Sequence, residues 1–314
     1  MDAPILNEIR DLIKGRLIIN PPNEDDQWDL EKLIEVPNIN LATEPQIFQN
    51  PKAKQAPNDL VIVNWNIAYG DQFEKILNSL KNLDQEIKIS IITLQEVDKN
   101  SPITDYRDVS FELAEALGFS AVFGASMAYL NPGRIPLFHD NKPCVKGNAV
   151  LTRLSLEEEV KILRLPPQYD FCNHRISEDI TQNDHWGNRM ALEVTQDYNK
   201  NKIRIISTQL EDKTYSHRRA RQAEYLVKKN KQSSIEDIFI CGDFNTLWSK
   251  LERTEKVFKK AGYKPVNKYT STIKFKLPFR LDNIYAKTRM NLIEAGVDKK
   301  AKGSDHYPVW AVFK

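Results

Sequence analysis

The chain has 314 residues, of which 41% are hydrophobic, and its 45 Lys and Arg residues nearly balance its 43 Asp and Glu residues. This composition is typical of a folded globular protein and excludes a chain that is disordered throughout. A net charge of +2 neither favours nor excludes a polyanionic partner. The three widely spaced cysteines, Cys144, Cys172 and Cys241, give no disulfide framework and no zinc-ligand spacing.

No stretch of the sequence reaches the ~20 apolar residues that a membrane helix needs, so we expect no integral membrane segment. Asp2 and Glu8 stand where a signal peptide would carry positive charge. We expect a cytoplasmic protein that acts as a monomer, although secretion after removal of a leader stays open.

Residues 1–58 differ in composition from the rest of the chain. They hold seven prolines but a single glycine, Gly15. Proline-punctuated segments of this kind are typical of extensions and linkers. We expect residues 1–58 to form an extension that flanks the main domain, with residues 50–58 as its linker, and residues 59–314 to form that domain.

Short apolar runs and amphipathic helical patterns alternate along the main domain. Helical spacing, a closing glycine or both predict helices at 73–83, 111–117, 216–229 and 251–261. Runs of strand length occur at 60–63, 89–94, 121–123, 148–152, 160–165, 190–194, 203–207, 235–241, 281–286 and 307–313. Many strands with few helices predict an α/β fold in which two sheets pack together with the helices outside.

Six of these strands end or begin at polar side chains. In the clearest case an apolar run stops at Gly242, and Asp243 and Asn245 follow it. Any one such residue could simply form a turn. Because strand ends are where sites form in layered α/β folds, six clusters together predict one site. The other five clusters are Asn66, Glu96, Gln209, Asp282, and Asp305 with His306.

The side chains of these clusters fit one chemistry. Glu96, Asn66 and an aspartate offer the hard oxygen ligands that Mg²⁺ and Mn²⁺ prefer. A histidine beside an aspartate, as in Asp305-His306, has its charged form stabilised. Together with an oriented water, these groups suit in-line attack on phosphorus. The sequence has neither a Walker-type phosphate loop nor a Gly-x-Ser-x-Gly elbow, which argues against nucleotide-driven phosphoryl transfer and serine hydrolysis.

Seven motifs resemble, in the same order, those of the endonuclease/exonuclease/phosphatase superfamily of deoxyribonuclease I-like metal-dependent phosphohydrolases. They are VNWNIAYG, TLQEVD, GNAVLTR, STQLED followed by RRARQAEYL, ICGDFNT, FRLDNIY and GSDHYPVW. The resemblance covers about residues 60–314 and is specific to the superfamily but not to a substrate. It implies that residues 59–314 form a catalytic domain with the architecture of a four-layer α/β sandwich, in which two mostly antiparallel sheets are flanked by helices.

The resemblance also implies roles for the residues at matching positions. Glu96 would be the main metal ligand, assisted by Asn66 and Asp305, with Mg²⁺ or Mn²⁺ as the cofactor. Asp243 would orient or deprotonate the attacking water, and Asn245 would hold the phosphate.

His306, paired with Asp282, would stabilise the charge that develops on phosphorus. Gln209, Arg280 and Asn148 would contact the substrate. Many members of the superfamily have a histidine where Gln209 stands, and glutamine cannot act as an acid. We still expect activity, since some relatives lack this histidine and remain active.

The resemblance implies a phosphate-ester substrate, and we favour a nuclease-like phosphodiesterase. Basic residues alternate with aromatic ones between residues 263 and 280 and could line a nucleic-acid groove, or equally form a solvated ribbon with an apolar underside. Apolar residues at 129–130 and 135–138 could instead favour a phospholipid or inositol phosphate substrate. A catalytically impaired binding protein is the third interpretation, supported by Gln209 alone.

Overall fold

The structure is a computed structural model that describes most of the chain from residue 44 onward. The ranges described are 44–129, 138–140, 142–156, 159–166, 185–187, 189–212, 215–246, 252–268, 270–274 and 279–314. Of the apolar residues singled out at 129–130 and 135–138, residues 130 and 135–137 lie outside these ranges, as do the first 43 residues of the predicted extension.

Four α-helices and sixteen strands make up the described part of the chain. The helices are α1 (Phe73–Ile87), α2 (Val109–Leu117), α3 (Ser216–Asn230) and α4 (Arg253–Lys260). The strands are β1 (Gln46–Phe48), β2 (Leu60–Tyr69), β3 (Ile91–Lys99), β4 (Ser120–Tyr129), β5 (Phe138–His139), β6 (Lys142–Pro143), β7 (Val145–Thr152), β8 (Val160–Arg164), β9 (His185–Gly187), β10 (Met190–Tyr198), β11 (Asn201–Gln209), β12 (Asp237–Asp243), β13 (Lys264–Pro265), β14 (Asp282–Lys287), β15 (Leu292–Val297) and β16 (Val309–Phe313).

These strands form two large sheets and a separate β5–β6 pair. The first sheet has the order β1-β4-β7-β3-β2-β16-β15, and β9 also pairs with β4. The second sheet has the order β13-β14-β12-β11-β10-β8. Most neighbours are antiparallel, but β2 with β3 and β11 with β12 are parallel. Strands β10 and β11 form an antiparallel hairpin.

Three apolar clusters fill the spaces between four layers. One packs α1 and α2 onto the outer face of the first sheet, a second lies between the two sheets, and a third packs α3 and α4 onto the second sheet. The predicted four-layer α/β sandwich is therefore confirmed. None of the helices in the described ranges is long and apolar enough to cross a membrane.

Strand β2 shows how the sequence produces these layers. Its side chains alternate between faces, as they must in an extended strand. Val63 and Trp65 pack towards the helices, whereas Leu60 and Ile62 pack towards the second sheet. The same alternation assigns the next inward position to Asn64, so the inner face of this strand turns from apolar to polar along its length.

Two edge strands of the first sheet were not predicted. In β15, Leu292 and Ile293 are 46% and 54% exposed, so no alternation of buried and polar residues marks this strand. β1 pairs with β4 and lies within the segment expected to be an extension. The domain boundary at residues 58 and 59 stays a proposal.

A chain of buried polar side chains joins the two sheets beneath their polar ends. Asn64 accepts hydrogen bonds from Thr93 (2.9 Å) and Gln95 (3.0 Å) and donates to the carbonyl oxygen of Gly242 (3.3 Å). Gln95 also donates to Ser207 of the second sheet (3.0 Å). Because buried polar groups are costly when unpaired, this chain fixes how the sheets are placed relative to each other.

Replacing Asn64 with leucine removes this bridge while keeping a side chain that branches at Cγ. The variant leaves the Gly242 carbonyl without its Asn64 partner, so we expect the free energy of unfolding to fall by about 1–3 kcal/mol. Urea unfolding followed by circular dichroism measures the change. The matched control is Asn201→Leu at the exposed first residue of β11, for which we expect a change within about 0.5 kcal/mol. Equal losses in the two variants would contradict a bridging role for Asn64.

Candidate active site

The inner faces of both sheets become polar at the same end of the sandwich. In β12, Phe239 and Cys241 face the layer between the sheets, and alternation brings Asp243 next. Asp243 lies opposite Gln209 of β11 on one side and opposite Asp282 of β14 on the other. Strand register therefore places three of the predicted site residues in one row.

Asp243 receives hydrogen bonds from both sheets. Its Oδ2 atom accepts from Nδ2 of Asn66 in the first sheet (3.1 Å) and from Nε2 of Gln209 in the second (3.3 Å). Its Oδ1 atom accepts from the backbone N–H of Asn245 (3.0 Å). Three donors directed at one buried carboxylate fix its position.

Asn245 lies just beyond the end of β12, not within the strand. Its backbone has a left-handed φ of 51°, which is uncommon for a residue other than glycine. Its Nδ2 atom donates to the carbonyl oxygen of Leu210 (2.9 Å). The amide of Asn245 is thus anchored beside Asp243 with one of its two Nδ2 hydrogens engaged by this bond.

Glu96 lies at an irregularity of β3. Its φ is 52°, and the pairing of β3 with β7 shifts register between Leu94 and Val97. Its carboxylate accepts a hydrogen bond from Gln209 at 2.6 Å. Burial opposes ionisation, but the nearby charge of Lys146 and the hydrogen bond from Gln209 outweigh it and lower the pKa of Glu96. Glu96 is therefore an anionic oxygen donor at neutral pH.

Asp282 and His306 form a buried pair. Nδ1 of His306 lies 2.7 Å from Oδ2 of Asp282. Burial raises the pKa of Asp282 to about 6. Burial lowers the pKa of His306, but the charge of Asp282 and the hydrogen bond to it outweigh burial and raise that pKa to about 10. Between these values the pair consists of a carboxylate and an imidazolium ion.

The backbone around His306 is held by the first sheet. Nε1 of Trp65 donates to the carbonyl oxygen of His306 (3.0 Å), and the hydroxyl of Ser304 donates to the carbonyl oxygen of Asn66 (2.7 Å). Asp305, between them, is exposed, and its charge also raises the pKa of His306. The segment therefore brings His306 and Asp305 to the end of β2 that carries Asn66.

The donor atoms in this cleft fit a hard divalent cation. Oδ1 of Asp282 is buried and has no hydrogen-bond partner among the described residues. Possible ligand atoms of Asp243, Asp282 and His306 all lie within 4.8 Å of one another. His306 is a poor ligand, since it is cationic and Nδ1 faces Asp282. The carboxylates of Glu96, Asp243 and Asp282 suit Mg²⁺ or Mn²⁺ better.

Two basic residues that were not predicted lie in the same cluster. Arg189 is buried and its guanidinium donates to Oε1 of Gln209. Lys146 is also buried, and its ammonium lies 4.7 Å from the ring centre of Tyr69. Neither belongs to a polar cluster at a strand end: Arg189 directly precedes β10, and Lys146 lies inside β7. The position of Arg189 just before a strand is the signal that could have revealed it.

Two predicted substrate contacts point elsewhere in the structure. Nδ2 of Asn148 donates to the carbonyl oxygens of Met190 (3.2 Å) and Ser207 (3.4 Å), so this amide links the two sheets. Arg280 is buried, and its guanidinium bonds to Glu255 and to the Asn267 carbonyl. The structure thus brings the other predicted residues together and leaves the guanidinium of Arg280 outside their hydrogen-bond network.

The described ranges include only part of the predicted groove of basic and aromatic residues. Tyr263 is buried and packs against Phe258, with ring centres 6.1 Å apart, so it offers no free face for a base. Lys264 and Lys268 are exposed. Tyr269 and residues 275–278 lie outside the described ranges.

Comparisons with known proteins agree with this geometry. Residues 63–306 match the Endonuclease/Exonuclease/phosphatase family. The chain belongs to this family, whose members are phosphoester hydrolases that typically use divalent metals. No curated protein matches the chain by sequence.

Solved structures share the fold at low sequence identity. An endonuclease/exonuclease/phosphatase from Beutenbergia cavernae has a TM-score of 0.59 and 15% identity, over 82% of this chain and 72% of that one. The human Nocturnin catalytic domain with bound sulfate has a TM-score of 0.57 and 18% identity, over 86% and 97%. TDP2 from D. rerio with a single-stranded DNA product has a TM-score of 0.56 and 15% identity, over 82% and 100%.

The Asp282–His306 pair predicts an unusual titration. At pH 8, where a histidine with the ordinary pKa of 6.5 is mostly neutral, both ring nitrogens of His306 should carry protons because its pKa is raised to about 10. Long-range ¹H–¹⁵N NMR of the imidazole groups measures this state, with the exposed His217 as the reference signal.

The raised pKa of His306 also determines how this residue affects the stability of the fold as the pH changes. Its contribution to stability is complete below the unfolded-state pKa and is lost as pH rises through about 10. The ion pair itself is lost below about pH 6, where Asp282 takes up a proton. Asp282→Asn should return the pKa of His306 towards the ordinary range. A neutral His306 ring at pH 8 in the unaltered protein would contradict the pairing.

Proposed function

We propose that this protein is a divalent-metal-dependent phosphodiester hydrolase of nuclease type, acting by in-line attack of an activated water on phosphorus. One observation carries the proposal. The buried carboxylate of Asp243 lies within hydrogen-bond reach of Gln209, which also holds Glu96, and it neighbours the Asp282–His306 pair. Anionic oxygen donors and a fixed cation therefore meet in one cleft.

Glu96 and Asn66 are the groups proposed to hold the metal, with the exposed Asp305 beside them. When bound, Mg²⁺ or Mn²⁺ supplies a Lewis acid that withdraws charge from a phosphoryl oxygen. Glu96 is suited to this role because it is anionic despite burial. The amide nitrogen of Asn66 donates to Asp243. Its amide oxygen accepts from the backbone N–H of Ala68 (3.1 Å), and the second lone pair of that oxygen is the one assigned to the metal.

Asp243 is proposed to orient the attacking water and accept its proton. Its carboxylate is fixed by donors from Asn66, Gln209 and Asn245, so a water bound to it would have a defined direction. Asn245 is anchored to the Leu210 carbonyl by one amide hydrogen, and its other amide hydrogen is assigned to a phosphoryl oxygen. This hydrogen bond would strengthen as negative charge develops in the transition state.

His306 is proposed to stabilise the same developing charge from another direction. Its Nδ1 side is occupied by Asp282, which keeps the ring oriented and charged. The Nε2–H group is then the donor that faces away from Asp282 and towards substrate. A positively charged, preorganised donor of this kind contributes more in a buried cleft than it would in water.

DNA is the substrate to test first. Lys264 and Lys268 are exposed on the segment that leads to β14, where they could contact a phosphate backbone. One structural neighbour was solved with a single-stranded DNA product, which supports the choice of nucleic acid for this chain without extending that protein's specificity to it.

Asp243→Asn tests the proposed hydrolysis directly. We expect the wild-type protein to nick plasmid DNA or cleave single-stranded DNA with Mg²⁺ and to lose the activity in EDTA. The variant should be at least ~10³-fold slower, because removing a member of a catalytic unit has effects of this size. Asp197→Asn, an exposed aspartate of β10, is the matched control and should retain normal turnover.

The other outcomes separate the remaining interpretations. Near-normal turnover in Asp243→Asn, with an unchanged circular dichroism spectrum, would contradict the assignment of this residue. Metal-dependent hydrolysis of phospholipid or inositol phosphate, without cleavage of DNA, would replace the nuclease interpretation. Failure on all three substrate classes would favour a binding protein that has lost catalysis.

A further inference from the structure

The side-chain amide of Gln209 uses both of its N–H donors and one lone pair of its oxygen inside the protein. Its Nε2 group donates to Oε1 of Glu96 at 2.6 Å and to Oδ2 of Asp243 at 3.3 Å. Its Oε1 atom accepts from Nη1 of Arg189. Because a primary amide has two N–H donors, both are directed at these two carboxylates and neither remains for a substrate.

The orientation of this amide is decided by Arg189. A guanidinium group only donates, so it must face the oxygen of Gln209 and not the nitrogen. Rotation of the amide by half a turn would direct its oxygen at the two carboxylates and its N–H groups at the cation. That arrangement is electrostatically unfavourable on both sides, which leaves one orientation.

Arg189 is itself held firmly. It is 7% exposed. Its Nη2 atom lies 3.2 Å from Oδ1 of Asp212, and its Nε atom lies 3.8 Å from Oε1 of Glu211. These two carboxylates follow β11 directly, so they move with the strand that carries Gln209. Burial of the cation is thereby compensated by charges that belong to the same strand end.

We propose that Arg189 is a positioning residue that acts through Gln209 to hold Glu96 and Asp243 at a fixed separation. The proposal rests on the proposed function, in which Glu96 holds the metal and Asp243 orients the water. Gln209 would then align the cleft and would not itself contact the phosphate. The two-donor amide suits this task better than a neutral imidazole, which offers one donor and one acceptor.

Binding of Mn²⁺ alone, measured by isothermal titration calorimetry, tests the proposal without requiring turnover. Gln209→Met removes the donors at nearly constant volume and should weaken Mn²⁺ binding by about 10- to 100-fold, as for other residues that orient metal ligands. Arg189→Lys retains the charge but not the fork of donors, and it should weaken binding in the same direction by a smaller factor. Gln209→His, which retains one donor and one acceptor, should fall between wild type and Gln209→Met.

The double variant is the decisive measurement. If Arg189 acts through Gln209, adding Arg189→Lys to Gln209→Met should weaken Mn²⁺ binding by less than about twofold further, so the two effects are not additive. In kinetic assays the same variants should lower kcat with little change in KM. Gln196→Met is the matched control, since Gln196 is equally buried but bonds to Thr152 and Ser155 away from the cleft.

Two results would overturn the proposal. Additive losses would mean that Arg189 contacts the metal site or substrate on its own. Wild-type Mn²⁺ affinity in Gln209→Met, with a wild-type melting temperature, would mean that the amide does not set the position of Glu96. A protein that shows the expected binding pattern but hydrolyses no phosphodiester would refute the proposed function and leave the positioning role supported.

Discussion

The two sheets of the sandwich meet at the carboxylate of Asp243. Asn66 reaches it from the first sheet and Gln209 reaches it from the second, and both donate to the same oxygen atom. The distance between these donors depends on how the sheets pack, which is set by the apolar layer between them and by the Asn64 bridge. A change in the packing between the two sheets would therefore also change the geometry of the cleft.

Charge in the cleft is balanced by cations of the protein and by the metal it is proposed to bind. Asp243 and Asp282 lie directly opposite each other on neighbouring strands, an arrangement that is unfavourable when both are ionised and unpaired. His306 compensates Asp282, while Arg189 compensates the carboxylates around Gln209. The unpartnered Oδ1 of Asp282 shows that this compensation is incomplete within the described residues. The divalent cation proposed to bind in the cleft would complete it.

Most of the fold and the core of the site could be predicted from the sequence. Alternation along β2 and β12 places Asn66 and Asp243 on inward faces, and the pattern of apolar runs predicts the sandwich. Alternation does not identify Arg189, because this residue lies outside β10; its position directly before that strand was the available signal. Arg280 was predicted to contact the substrate. Its guanidinium instead bonds to the buried Glu255, a pairing that the sequence pattern does not reveal. The exposed edge strand β15 lacked the burial pattern that sequence methods detect.

Backbone strain marks the same end of the molecule. Glu96, at the irregularity within β3, and Asn245, just after β12, both adopt left-handed φ values near 50°. Such conformations are costly for residues other than glycine and persist only where the surroundings enforce them. Here the enforcing contacts are the hydrogen bonds from Gln209 to Glu96 and from Asn245 to Leu210. Strain and hydrogen bonding together turn the two side chains into the cleft.

Anomalous diffraction from a crystal soaked in Mn²⁺ would locate the proposed metal site. We expect one strong peak in contact with the carboxylate of Glu96, on the side of the cleft that Asn66 and Asp243 line. A peak coordinated by Nδ1 of His306, with the Asp282–His306 pair broken, would contradict this expectation. So would the absence of any peak at Glu96 when Mn²⁺ is bound elsewhere on the protein.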